Sequence, residues 1–387
     1  MSRNSAGDLL WLIRSGKART RGDLQQLTGM ARSTVGQRLD RLIKAGYLCE
    51  PGVDESTGGR PPTRLEFNDQ HGVVLVGHLG ATAARLAVLD LAGVPLAQEW
   101  AERHVADGPR PVLDWVAGRF ESMLEQIGRS QAEVSGIGLG VPGPVEFEVG
   151  RVRQPPMMPG WDDYPIKEHL GERIEAPVLV DNDANLMALG EQVTHHRDCS
   201  ALVLVKVSTG IGAGVMINGA VYRGIDGGAG DIGHFRLHGH DDARCLCGSY
   251  GCLAAVASGS ALAARLSTMG VPTGSSRQLL AHINAGHPDA CRLAREAGQV
   301  LGEVVAAMVC LVNPGVVVIA GDLAESNFVT GVREVLYRLA LPRATRHLTV
   351  TTSRLGERAG IVGAHAMVVE AMYAPDEVDR RLQEVAT

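Results

Sequence analysis

Val73-Val-Leu-Val-Gly-His78-Leu-Gly80-Ala-Thr-Ala83-Ala-Arg-Leu-Ala-Val-Leu-Asp90 reads as a strand that runs into a glycine turn and returns as a second strand. About 130 positions later, Leu202-Val-Leu-Val-Lys-Val-Ser208-Thr-Gly210-Ile-Gly-Ala-Gly214 repeats that arrangement. Two such units imply a duplicated α/β lobe with a cleft between the halves. Each glycine turn can offer phosphates a loop of backbone N–H groups. Working outward, Val134 to Val141 is another buried strand, ending in Pro142-Gly-Pro144. Pro177-Val-Leu-Val-Asp181-Asn-Asp-Ala-Asn185 leads from a strand into a helix. An apolar helix over 304–312 is stopped by Asn313-Pro314, and Val316 to Ile319 is a buried strand before a turn at Gly321.

A chain of 387 residues with 45% hydrophobic content exceeds one ordinary domain and can bury a large core. No apolar run reaches the roughly 20 residues a bilayer crossing needs, and nothing resembles a secretory signal, so the expected location is cytoplasmic, with no membrane partner. Charge divides unevenly. Residues 1–70 hold 11 Lys and Arg against 8 Asp and Glu, and the remainder holds 26 against 35. A basic head on an acidic body points to a polyanion that meets only the head.

The head has a readable pattern. A short apolar helix over 8–13 is followed by Thr20, an N-cap for the helix closed by Thr28-Gly29. Ala31 to Ala45 then places Val35, Leu39, Leu42 and Ile43 on one face, and Arg32, Ser33, Thr34, Gln37 and Arg38 largely on the other. Two helices joined by a glycine turn, the second polar and basic at its start, are the helix-turn-helix arrangement that seats a recognition helix in the major groove. The stretch from Glu50 to Arg64 reads as a hairpin wing, with Gly58-Gly59-Arg60-Pro61 presenting Arg60 to a narrow minor groove. These features predict duplex DNA as a partner. A single such head reads half a site, so a homodimer or homotetramer on a pseudo-palindrome is expected.

Three of the seven cysteines, Cys245, Cys247 and Cys252, fall within eight positions, beside His234 in the chain. One imidazole nitrogen and three thiolates satisfy a tetrahedral structural zinc, and Gly248 and Gly251 permit the tight backbone of such a knuckle. Reduced, packed thiols are the competing reading, and they are the default for Cys49, Cys199, Cys291 and Cys310. His238, His240, Asp241 and Asp242 read as a polar excursion within the same loop.

Gly138-Leu-Gly140-Val-Pro142-Gly-Pro144, Gly160-Trp161, Asp181-Asn182-Asp183-Ala-Asn185, Gly210-Ile-Gly212, Gly230-Asp-Ile-Gly-His234 and the cysteine run fall in one order along the chain. In that order they resemble the ROK family of repressors, uncharacterised reading frames and sugar kinases, and the head resembles its regulator branch. The resemblance covers essentially the whole chain. It implies an α/β protein with a winged helix-turn-helix at 1–70 and a two-lobed actin/hexokinase-like body at 71–387. The first lobe would comprise about 71–180 with the C-terminal segment 360–387 packed back on it, and the second about 181–359.

The resemblance also implies roles. Asp183 matches the kinase base, Asn182 a sugar-hydroxyl ligand, and His234 a residue that binds zinc through one nitrogen and faces the sugar with the other. With Asp231 these four form the expected effector site. Three positions depart from the kinase pattern. His78 stands where a carboxylate organises magnesium, with Ala83 in place of a basic residue, Asp231 replaces Glu, and Ala254 deletes a carboxylate acceptor for sugar hydroxyls. The expectation is a carbohydrate-responsive repressor whose kinase-like body is catalytically impaired, with Asp183 vestigial, and a sugar or sugar phosphate as effector. An active ATP-dependent sugar kinase that also binds DNA is the alternative. A regulator answering only to a protein partner is a third reading.

Overall fold

The computed structural model describes residues 4–50 and 64–384. Arg60 and the rest of the expected wing tip lie outside them. The head begins with α1 (Ala6–Arg14), α2 (Arg21–Thr28) and α3 (Arg32–Lys44). Both α1 and α2 start at reciprocal caps, Ser5 with Asp8 and Thr20 with Asp23, in which each side chain satisfies the other residue's orphan N–H. The short strands β1 (Leu48–Cys49) and β2 (Glu66–Phe67) pair antiparallel, at the two ends of the segment expected to form a wing. Leu9, Leu12, Leu24, Val35, Leu39, Leu42 and Leu65 are buried together, which is the apolar face the periodicity of the segment requires.

The first lobe carries β3 (Val73–Leu79), β4 (Ala83–Asp90), β5 (Pro95–Glu102), α4 (Pro109–Gln126) and β6 (Val134–Val141). The hairpin β7 (Val145–Glu146) and β8 (Arg151–Val152), α5 (Ile166–Gly171) and β9 (Val178–Asn182) complete it. Its sheet runs β5-β4-β3-β6-β9, an antiparallel meander with two further strands parallel to β3. Then follow α6 (Asp183–His195), β10 (Ala201–Val207), β11 (Ile211–Ile217) and β12 (Ala220–Val221). Helices α7 (Leu253–Ala257), α8 (Gly259–Thr268), α9 (Ser276–Asn284) and α10 (Pro288–Val312) lead to β13 (Val316–Ala320), α11 (Ser326–Leu339), α12 (Pro342–Thr345) and β14 (Thr349–Thr352). The second sheet, β12-β11-β10-β13-β14, repeats the scheme of the first. The duplication suggested by the two glycine turns is therefore a duplication of topology.

Helix α6 and α13 (Ala359–Met372) lie between the sheets and touch along their backbones. A Cβ at Gly363 would stand 1.7 Å from the Leu186 carbonyl oxygen, and one at Gly190 2.3 Å from that of Ala359. α13 packs on β3 and β6, as expected for a helix returning to the first lobe. α14 (Pro375–Glu384) does not. Its Val378 and Leu382 are buried in the same cluster as Leu9 and Leu10 of α1, and the Gly7 amide donates to Asp379 Oδ1 at 2.9 Å. The expectation that the whole segment 360–387 covers the first lobe is corrected accordingly: α13 packs there, and α14 clamps the head. The cause is a break after Met372, where Pro375 starts a new amphipathic helix whose apolar stripe finds α1 instead of a sheet. Among the described residues, no helix is long and apolar enough to cross a membrane.

Candidate functional site

Between the two sheets lies a cleft of about 1180 Å³, lined by both glycine turns, Pro142–Pro144, Asn182, Asp183, Asp231, His234 and Ala254. The four residues expected at the effector site thus border one cavity. Asp183 is the first residue of α6, held there because the Asn182 side chain caps that helix, accepting from the Ala184 amide at 2.9 Å. Asn182 Nδ2 also donates to the Gly143 carbonyl at 2.9 Å, so its amide is engaged by the chain itself. Asp231 follows Gly230, whose φ of +96° and close seat on the Ala213 carbonyl leave no room for a side chain.

Asp183 is 4% exposed and ion-paired with the Lys206 ammonium. Sequence reading missed Lys206. Its signal was a single charge within the apolar strand Leu202-Val-Leu-Val-Lys-Val207. One step away, Asp181 is completely buried, and its Oδ2 accepts from Arg223 Nε at 3.0 Å and Nη2 at 2.7 Å. Its Oδ1 accepts from the Asn182 amide and from Asn185 Nδ2 at 2.7 and 2.9 Å. The Arg223 guanidinium lies 3.7 Å from the Phe147 ring centre. Neither Arg223 nor Phe147 was singled out from the sequence.

His78 points into the cleft from the end of β3, and its Nδ1 has no hydrogen-bond partner among the described residues. A Cβ on Gly360, at the start of α13, would stand 1.9 Å from that atom. Burial pushes the imidazole down to about 4, against the opposing pull of the Asp183 carboxylate. The ring is neutral at pH 7. Because the folded value lies below the unfolded one, the native state resists a proton that the unfolded chain takes up. Stability is therefore lost as pH falls from about 6.5 through 4, by on the order of 3 kcal/mol for this group. Urea unfolding of His78→Asn against the parent across that range is expected to show a flatter acid limb; superimposable limbs would reject it.

His234 also belongs to the cysteine cluster. Its Nδ1 lies 3.6 Å from Cys245 Sγ, Cys247 Sγ lies 3.7 Å from Cys252 Sγ, and all four ligand atoms fall within 4.8 Å of one another. A tetrahedral ion with S and N ligands at about 2.3 and 2.0–2.1 Å requires S···S near 3.8 Å and S···N near 3.6 Å, so the set fits a metal of that kind. Gly248 and Gly251 have φ of +88° and +73°, as the knuckle reading required. His238, His240, Asp241 and Asp242 are not in the cluster.

On the head, Arg32, Ser33 and Gln37 are exposed on α3, while Thr34 and Arg38 are half-buried. The Arg38 guanidinium turns back onto the Met30 sulfur. Arg41, on the same helix, donates to the Leu382 carbonyl of α14 at 3.3 Å.

The ROK family model matches residues 76–371. The xylose repressor of Caldicellulosiruptor bescii is 29% identical over 383 residues, 95% of each chain. The glucokinase of Halalkalibacterium halodurans is 30% identical over 75% of this chain and 93% of its own. A crystal structure of a ROK family transcriptional regulator, a homologue of the Escherichia coli MLC protein, superposes with a TM-score of 0.83 at 26% identity, covering 99% of both chains. Kinase and repressor relatives share the body, and the repressor and the regulator structure match the head as well. With both lobes, the cleft and the family match in place, the chain belongs to the ROK family.

Proposed function

We propose that the protein is a DNA-binding transcriptional repressor of carbohydrate genes, with the kinase-like body kept as a sensor. The observation that carries this reading is α3: its apolar side is sealed into the head while Arg32, Ser33 and Gln37 stand free on the other. Arg32, Ser33, Thr34, Gln37 and Arg38 would read base edges and phosphates, Arg60 would enter the minor groove, and two heads of a dimer or tetramer would span a pseudo-palindrome. The repressor and regulator relatives support the same assignment.

The effector is a sugar or sugar phosphate held by Asp183, Asp231 and His234, with Lys206 added to the set. A carboxylate and an ammonium side by side offer one acceptor and one donor to neighbouring hydroxyls. The four-residue cluster holds a structural zinc, which would fix His234 rather than take part in chemistry. Phosphoryl transfer is impaired because a neutral imidazole stands at the magnesium-organising position, and loss of one preorganised electrostatic element commonly costs about 10²–10³ in rate. A turnover above about 1 s⁻¹ in a coupled ATPase assay over hexoses and pentoses would instead establish the kinase reading that retained Asp183 favours.

The route from cleft to head is α13 and α14. α13 starts against His78, its far end holds Arg14 of the head through the Val369 carbonyl at 2.8 Å and Glu370 at 2.6 Å, and α14 grips α1 and α3. Lobe closure on a ligand would shift α13 and so the spacing of the heads.

Selection of duplexes from a randomised pool tests the reading without a known operator. Enrichment of a pseudo-palindrome is expected, with Gln37→Ala relaxing specificity by about 1–3 kcal/mol at one position of each half-site. A pool that stays random after selection would remove the DNA-binding assignment.

A further inference from the structure

A second cavity, of about 680 Å³, lies where the head meets the body, and it shares no lining residue with the cleft. Its apolar lining comes from Leu65 of the head, Leu91 after β4 and Val362 of α13. Four arginines also line it: Arg14, Arg19 and Arg64 from the head, and Arg197 just beyond α6. Two of these are neutralised, Arg14 by Glu370 at 2.6 Å and Arg64 by Glu66 at 2.9 Å. The other two are not. Among the described residues, neither Arg19 nor Arg197 has a carboxylate within ion-pair distance, and the one side-chain bond of Arg197 runs from Nε to the Val193 carbonyl. The remaining acid at the cavity, Asp69, is held toward its neutral form by burial and by the nearby Asp90 and Glu66 carboxylates.

We propose that this junction cavity binds a small phosphate-bearing metabolite, its phosphate held by Arg19 and Arg197 and its carbon skeleton laid on the apolar lining. Guanidinium groups suit a phosphate because their N–H donors match its oxygens in pairs. One of these arginines belongs to the head and the other to the body, so a bound phosphate favours the one arrangement in which both reach it. Binding at this site is then coupled to head position by its differential affinity for the two arrangements, independently of what fills the cleft.

Calorimetry on the full-length protein tests this with glucose 6-phosphate, inorganic pyrophosphate and glucose as probes. Both arginines are exposed, so the double variant Arg19→Ala/Arg197→Ala leaves the core intact. Lys206→Gln marks the cleft by removing its ammonium. The expected result is a glucose 6-phosphate binding event that saturating glucose does not compete away, weakened at least tenfold in the arginine double variant and retained in Lys206→Gln whatever that change does to binding in the cleft. Pyrophosphate binding alone, lost in the same double variant, supports the site with the free anion as its ligand. Phosphate binding that survives the arginine changes but falls in Lys206→Gln overturns the junction site and leaves the cleft reading standing. No binding of either phosphate overturns the junction site as well.

Discussion

Cys247→Ser, or chelation of the full-length protein at neutral pH, is expected to release one zinc per chain and unfold the loop from His234 to Cys252. Two of the ligand-atom pairs, His234–Cys245 and Cys247–Cys252, stand at tetrahedral separations, all four atoms lie within 4.8 Å of one another, and Cys245 and Cys252 are buried. Without an ion, three thiols and an imidazole would crowd one pocket with little to hold them there. Structural zinc in small peptides contributes about 10–16 kcal/mol of apparent folding free energy at pH 7. Here the large core of the second lobe, built on α10, β10 and β13, takes Leu237 from the loop with Ala243 packed against it, and its remaining members lie outside the loop, so the loss should be largely local. Limited proteolysis should cut within 235–251 only in the metal-free protein, while the bulk of the helical signal persists. Because His234 lines the cleft, sugar affinity should fall by about 10–100-fold in the same samples. Metal analysis that finds no ion in the protein as purified, with the loop still resistant to protease, would make the cluster a set of packed thiols.

What the sequence disclosed and what it hid divide along a physical line. Val35, Leu39 and Leu42 recur at helical spacing, so α3 and its buried face were legible, and Thr20 with Asp23 marked the start of α2. The glycine turns marked the strand ends, and the histidine and cysteine spacing marked the ligand set that the fold brings together. Periodicity tells which face of an element is apolar, but not which partner covers it. Hence α14, amphipathic and readable as a helix, was placed on the first lobe when it covers α1, more than 360 positions away. The same limit hid the pairs that set the cleft's charge. Lys206 meets Asp183 across 23 positions and Arg223 meets Asp181 across 42, and no local pattern connects them. His78 was legible as a departure from the kinase motif. Its neutral state was not, because that state follows from burial against Gly360.

Arg223→Met is expected to destabilise the protein by about 3–5 kcal/mol, because it strands a completely buried carboxylate. Asp181 accepts four hydrogen bonds, two of them from Arg223, and the remaining two donors do not neutralise it. The stacking of Arg223 on Phe147 adds about 1–2 kcal/mol to what is lost. The double variant Asp181→Asn/Arg223→Met should recover most of the loss, since a neutral amide keeps the shape without the charge. Urea unfolding of the two single variants and the double gives the coupling directly. A loss under about 1 kcal/mol for Arg223→Met would mean that water reaches Asp181 and that the pair is an ordinary surface bridge. The position of the pair gives it a second consequence. Arg223 lies on the loop after β12 in the second lobe, whereas Asp181 and Phe147 belong to the first, and that loop is seated by Gly227, whose φ is +77° and whose Cβ would stand 2.1 Å from the Val145 carbonyl. The ion pair therefore ties the two lobes together beside the cleft, next to the lining residues Asn182 and Gly227. Breaking it should loosen closure, so that in the double variant, where stability is restored, any ligand-dependent change in DNA affinity should shrink while DNA binding without ligand persists.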